Sequence, residues 1–231
     1  MSDGAVRQLL GPPVSGAENV LEDDRLLAEG RLTVRAAVLA DTSVSFGVGE
    51  RAPTAVTRSA EAAKLPIVRR STGGSGLLHL PGDIVWSVVL PRHHALVGRD
   101  FTRAYPRLGA GVVDALRARS VPAEWTPPMG VSTSYCFLGP RGEALTVGGR
   151  ALGGAAQHVT RGTLLHQGVI AHHVDAPALE RIFDLPSATS VRYLTGLAEW
   201  GLSGVSEAIA REVVESLARR VTGDPVRSVA R

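Results

Sequence analysis

The sequence predicts an α+β domain, a mixed β-sheet with helices packed on it. Three observations lead there. Apolar residues recur at three- and four-residue spacing in some segments and alternate in others, so helices and half-buried strands are both expected. The two kinds interleave without the strict alternation of a βαβ array, and several strand candidates sit as hairpin neighbours. A chain of 231 residues with 44% hydrophobic and 20% charged residues can bury one substantial core. The expectation is a single domain over 1–231 with one main core.

The elements follow in order. Ser15-Gly-Ala-Glu18 is a capping box, in which the serine oxygen accepts an early helix N–H and the glutamate reaches back to the cap; it opens a helix from Gly16 to Ala28 that Gly30 ends. Leu32, Val34 and Ala36 alternate with other residues, as do Val44 and Phe46, giving two strands. The alanine-rich Thr57 to Lys64 favours a short helix that Pro66 stops, and Ile67 and Val68 then lead as a strand into Arg69-Arg70. Ile84 to Leu90, broken only by Ser87, reads as a core strand.

Phe101, Tyr105, Leu108, Val112, Ala115 and Leu116 share one face of a helix from about Arg99 to Arg119, with Pro106 placed to kink its first turns. Val121 to Pro140 carries four prolines and reads as loops with a short strand. Leu145 to Val147 is a strand; a glycine-rich run, Gly148 to Gln157, comes next, and Leu164 to Val174 reads as a long strand. Val205, Ile209, Val213, Leu217 and Val221 mark an amphipathic helix closed by Gly223.

Composition narrows the function classes. The net charge is +3, the arginines are scattered among acids, Lys64 is the only lysine and aromatics are 4%, which argues against nucleic-acid binding. The N-terminus lacks an apolar signal segment and no run reaches membrane-spanning length, so neither a membrane nor export is expected and the cytoplasm is the default. Cys136 is the single cysteine, which agrees with a reducing compartment. His93-His94 and His172-His173 are adjacent pairs whose members point to opposite faces of a strand, so no metal is expected.

The densest chemistry lies in Arg69-Arg70-Ser-Thr-Gly73-Gly74-Ser75-Gly76-Leu-Leu-His79. Three glycines in four positions let a backbone bend tightly or let a ligand approach its N–H groups, and the basic pair adds charge. Arg70 either braces this loop or contacts ligand, and His79 is either a site residue or a satisfied structural histidine. Cys136 is a buried small hydrophobe or a nucleophile.

This stretch resembles the arginine-arginine, triple-glycine and histidine signature of the lipoate-protein ligase and octanoyltransferase family, relatives of the biotin-protein ligases. Gly149-Arg150-Ala151-Leu152-Gly153-Gly154-Ala155-Ala156-Gln157 is similar to the family's second motif, and His166-Gln167-Gly168 lies at the spacing of its late histidine-glycine pair. Ala17-Glu18-Asn19 and Ala62-Ala63-Lys64-Leu-Pro-Ile-Val also look like the family.

The resemblance covers about 17–222 and implies a biotin/lipoate ligase-like catalytic domain, with no separate accessory domain expected, that holds a lipoyl or octanoyl group, as an acyl-adenylate made from ATP with Mg or as a thioester, and transfers it to a lipoyl-domain lysine. Implied partners are a lipoyl domain of 2-oxoacid dehydrogenase complexes or the glycine cleavage H protein, an acyl carrier protein as donor, and, for some relatives, an accessory chain. Implied binding residues are Arg69, Arg70, Gly73, Gly74, Ser75, Gly76, His79, Gly149, Arg150, Gly153, Gly154, Ala156, Gln157 and His166. Cys136-Phe137 resembles the nucleophile step of the cysteine-type octanoyltransferases, although ligases of the family often have cysteine there too.

The chain departs from the pattern at one place above all: the family lysine, which stabilises charge at the reacting carbonyl or phosphate, falls at Ala151. Ser75 stands at the third loop glycine, and Ala144 at an acidic position that leaves Glu143 one residue out of register. The alternative function is therefore a catalytically degenerate acyl- or acyl-adenylate-binding module.

Overall fold

In the computed structural model the described residues are 5–91, 94–97, 104–131, 133–139, 143–160 and 162–223. Seven strands form the main sheet in the order β1 (Arg7–Leu10), β2 (Thr33–Val38), β6 (Ile84–Pro91), β10 (Thr163–Ile170), β9 (Arg150–Val159), β8 (Ala144–Val147) and β7 (Ala123–Thr126). β1 and β2 run parallel and every other neighbouring pair antiparallel. A three-stranded sheet orders β4 (Ile67–Arg70), β3 (Ser43–Gly47) and β5 (Leu77–His79), with β3 parallel to β4 and antiparallel to β5. The helices are α1 (Gly16–Glu29), α2 (Thr54–Ala62), α3 (Ala104–Ala118), α4 (Ala176–Phe183), α5 (Ser187–Tyr193) and α6 (Ser206–Thr222).

Local signals fixed most boundaries. Ser15 caps α1 through the full capping box, and Gly30 ends it in the left-handed conformation at φ 62°. Gly223 ends α6 in the same way at φ 78°. α2 begins three residues before the expected Thr57, because Pro53 cannot join the helix as a donor and sits as its cap. β10 stops at Ile170, short of Val174, because Asp175 caps α4. The second glycine-rich run, to which the pattern gave no element, is strand β9. β1, α4 and α5 were not anticipated. Arg99, Phe101 and His93 lie outside the described residues, so the expected start of the α3 helix is not addressed.

The main sheet is buried on both faces, and strand alternation decides what each face sees. Val88, Leu90, Trp86, Leu164 and Ile170 pack with Leu108, Val112 and Leu116 of α3 and Ile209, Val213 and Leu217 of α6. On the opposite face Val85, Ser87 and Val89 of β6 lie level with Val169, Gln167 and Leu165 of β10 and with Ala37, Arg35 and Thr33 of β2. α1 covers this second face, with Leu26 against Val89 and Leu165.

One buried ion pair anchors α1 there. Arg35 Nη1 lies 3.2 Å from Asp23 Oδ1 and 2.7 Å from Asn19 Oδ1, and both charged side chains are 5% exposed. Burial pushes the Asp23 carboxyl up to about 6 despite the pull of Arg35. Removing one partner of such a pair leaves an uncompensated buried charge at a cost of about 3–5 kcal/mol. Arg35→Met is expected to lower the unfolding free energy in urea by about 3 kcal/mol at neutral pH; an unchanged urea midpoint would show that the pair does not hold α1.

Candidate functional site

The small sheet carries the site. Arg70 ends β4 with its side chain turned inward, 6% exposed, and its guanidinium makes three hydrogen bonds: Nη1 donates to Ser45 Oγ at 3.0 Å, and Nη2 to the carbonyls of Gly73 at 3.0 Å and Ser75 at 2.9 Å. The glycine loop is thus wrapped around the end of Arg70. Gly47 and Val48 N–H donate to the Gly74 and Thr72 carbonyls at 3.0 and 2.9 Å, which ties the loop to β3. Arg69 points the other way, donating to the carbonyls of Gly47 and Glu50 at 2.9 and 2.7 Å. The two arginines divide the work: Arg69 clamps the turn after β3, and Arg70 braces the loop from inside.

Ser45 Oγ also lies 2.8 Å from His79 Nε2. Ser45 Oγ thus accepts from Arg70 and shares a second hydrogen bond with His79 Nε2, whose direction is set by the histidine tautomer, while His79 Nδ1 is buried with no hydrogen-bond partner. Burial, and secondly the Arg70 charge, pull His79 down to about 3.

The Cys136 turn is docked onto this loop. Gly76 N–H donates to the Ser134 carbonyl at 3.1 Å, and Cys136 N–H donates to the Gly76 carbonyl at 2.8 Å. A side chain at Gly76 has no room, since its Cβ would sit 2.5 Å from the Phe183 ring and 2.9 Å from Phe46. Gly74, at φ +100°, is closely flanked: a Cβ there would lie 2.8 Å from Arg70 Nη2 and 3.0 Å from Cys136 Sγ. Only a residue without a Cβ lets sulfur and guanidinium close over the loop. Burial lowers the Arg70 pKa, and the Cys136 sulfur opposes that shift.

Behind this pair lies a cavity of about 830 Å³, open mouth included. Its walls are apolar, with Val20, Leu39, Leu77, Val85, Phe137 and Val169 prominent, and β9 contributes Gly153, Gly154, Ala155 and Ala156. Among its described lining residues Arg70 is the one permanent cation and Cys136 the one thiol. A second, smaller cavity of about 340 Å³, open mouth included, is lined by Tyr135 and shares Phe137 with the first.

The residues singled out in the sequence separate into three groups. Arg70, His79, Cys136, Gly153, Gly154 and Ala156 line the main cavity, and Gly73, Gly74, Ser75 and Gly76 form the loop braced against it. Arg69, Gly149 and Arg150 lie outside the lining: Gly149 forms the β8–β9 hairpin turn with Gly148, and Arg150 pairs with Glu199 at 2.8 Å. Gln157 and His166 bond each other at 2.9 Å on the opposite face of the main sheet, where His166 meets the rings of Trp86 and Tyr105. Alternation along β10 brings Gln167, not His166, to the cavity. Ala151 is fully buried and lines the second cavity.

Several lining residues were not anticipated as site residues, among them Asp23, Ser45, Val85, Glu143 and Gln167. For Val85 and Gln167 the signal was the period of two, which becomes usable once the helix-covered face is known. Among the described residues no group of three His, Cys, Asp or Glu side chains is placed to hold a metal ion.

The buried neutral His79 has a consequence for acid stability. Its folded pKa lies below the unfolded value near 6.5, so the unfolded chain binds a proton that the folded one refuses. Stability is therefore complete above 6.5 and lost as pH falls toward 3, by on the order of 4 kcal/mol for this group. His79→Gln is expected to flatten the decline in unfolding free energy over that window; an identical decline in wild type and variant would contradict the assignment.

With the geometry established, comparison with known proteins is informative. The lipoyl protein ligase A/B catalytic domain model matches residues 27–215. The chain is 30% identical over 200 residues to an octanoyltransferase LipM of Exiguobacterium sp., a match covering 80% of this chain and 72% of the relative. A crystal structure of lipoate-protein ligase A bound with ATP shares the fold at a TM-score of 0.71 and 19% identity, over 95% of this chain and 85% of that one. A bi-partite lipoate protein ligase of Thermoplasma acidophilum, studied with its E2 lipoyl domain, gives 0.66 and 18% over 97% and 98% of the two chains. The extent of the family match and the identity to an octanoyltransferase place this chain in the lipoyl protein ligase A/B catalytic domain family.

Proposed function

We propose that the protein transfers an octanoyl or lipoyl group from a carrier thioester, through Cys136, to a lysine of a lipoyl domain. The observation that carries this reading is the placement of Cys136 Sγ and Arg70 Nη2 against Gly74, at an apolar cavity suited to a medium-length acyl chain. The Cys136 sulfur attacks the donor carbonyl, a new C–S bond forms, and the carrier thiol leaves with the proton that Cys136 gives up. The acceptor amine then attacks this thioester, the amide C–N bond forms and the Cys136 thiol is restored. Arg70 supplies a fixed charge beside the sulfur without reorganisation, because Nη1 is held by Ser45 and Nη2 itself by the Gly73 and Ser75 carbonyls.

A carrier thioester fits this chain better than an acyl-adenylate made from ATP. The position where the family resemblance puts a lysine is Ala151, and the second cavity that it lines contains Asp83 and Asp175 but neither lysine nor arginine. A phosphate would meet two carboxylates there, with His173 the one other titratable group besides Tyr135 among the described lining residues. Similarity to an octanoyltransferase supports the same choice. Ala151 also favours the second reading, a binding module without turnover, and one experiment separates the two.

The protein and a lipoyl domain are mixed with octanoyl-carrier protein, or with lipoate and ATP, and both masses are followed. The expected result is acylation of the acceptor from the carrier and not from lipoate with ATP. It should be abolished in Cys136→Ser and reduced about 10²- to 10³-fold in Arg70→Met, the range for loss of one charge-stabilising donor. Thermal stabilisation by the acyl ligand with no acceptor modified would establish the binding module instead.

A further inference from the structure

The second cavity has a chemistry of its own. Its walls are apolar, with Leu78, Leu80, Leu179 and Leu194, and Ala151 leaves space where a longer side chain would fill it. One acid sits in this lining almost out of water: Asp83 is 3% exposed. Its Oδ2 accepts the Leu80 N–H at 2.9 Å and its Oδ1 the His172 N–H at 2.8 Å, so each oxygen keeps acceptor capacity. No described cation lies within ion-pairing distance of it. Burial raises its pKa to about 7, opposed only by those two backbone N–H groups. Asp175, whose Oδ1 accepts the Ala178 N–H, and His173 line the same cavity.

A buried carboxylate without a cation is costly, and the complement to an apolar passage ending at one is an ammonium on an aliphatic stem. The position of the cavity matters equally. Tyr135 and Phe137, the two neighbours of Cys136, line it, whereas Cys136 itself lines the acyl cavity. Residues of a single three-residue turn therefore line both cavities.

We propose that this second cavity receives the acceptor lysine, its stem against the leucine walls and its ammonium at Asp83, opposite the acyl group held at Cys136. The inference rests on the acyl-transfer reading above. In the step it serves, the ammonium passes one proton to the Asp83 carboxylate and the free amine attacks the thioester carbonyl. The C–N bond forms as the C–S bond breaks, the surplus proton on nitrogen goes to the leaving sulfur, and Asp83 later releases its proton to water.

The test has two arms. In the first, n-butylammonium chloride is titrated against the whole protein with n-butanol as the comparison, and melting temperature is read. Saturable stabilisation by the amine alone, lost in Asp83→Asn, is expected; equal effects of amine and alcohol, or an unchanged response in Asp83→Asn, would overturn the proposal. In the second, acyl transfer from Cys136 to a lipoyl domain is timed. Ala151→Met, which fills the cavity and leaves the Asp83 side chain unaltered, is expected to raise the acceptor KM at least tenfold relative to its effect on formation of the Cys136 thioester. An unchanged acceptor KM in a folded Ala151→Met protein would overturn the proposal. If Cys136 takes no acyl group at all, the transfer reading fails while the butylammonium arm still decides whether the cavity binds an amine.

Discussion

The Arg70 guanidinium is the constraint on which the site depends. A buried cation must have its N–H groups satisfied, and here they reach Ser45 on β3 and two carbonyls of the loop that follows β4. Those bonds fix the loop path, the loop path sets Gly76, and Gly76 exchanges backbone hydrogen bonds with the segment that bears Cys136. The sulfur is placed through a chain of backbone contacts that begins at one side chain. The same contacts keep Arg70 charged beside the sulfur, so structural bracing and electrostatic function are two results of one arrangement.

The main sheet makes a second division. One face belongs to α3 and α6 and is filled by Trp86, leucines and valines; the other is shared between α1, held by the Asp23–Arg35 pair, and the small sheet that carries the cavity. Small residues along β9 and β10 keep the second face open. Gly154 and Ala156, level with Val169 and Gln167, leave volume that larger side chains would occupy, and at Gly153 a Cβ would lie 2.1 Å from the Val169 carbonyl oxygen.

How much of this was readable in the chain depended on range. α1 and α6 announce themselves through Ser15, Glu18, Gly30 and Gly223, because helix caps act within a few residues. The loop from Arg69 to His79 stands out because its glycines and charges are adjacent. What could not be read was long-range: that β3 leaves the main sheet to pair with β4 and β5, and that Gln167 and not His166 reaches the cavity. Strand alternation says that neighbours differ in face, but the face that the helices cover is decided by α3 and α6, far along the chain. Arg69 and Arg70 pose the same difficulty, being equal in sequence and opposed in space.

The account stands on the sulfur at the end of that chain of contacts. Its most direct measurement is peptide mapping of the protein after brief exposure to octanoyl-carrier protein, without acceptor. The account predicts one hydroxylamine-labile octanoyl group, on Cys136. An octanoyl group on Lys64, the only lysine, or none on a protein that acylates a lipoyl domain when one is supplied in a parallel sample, would contradict it.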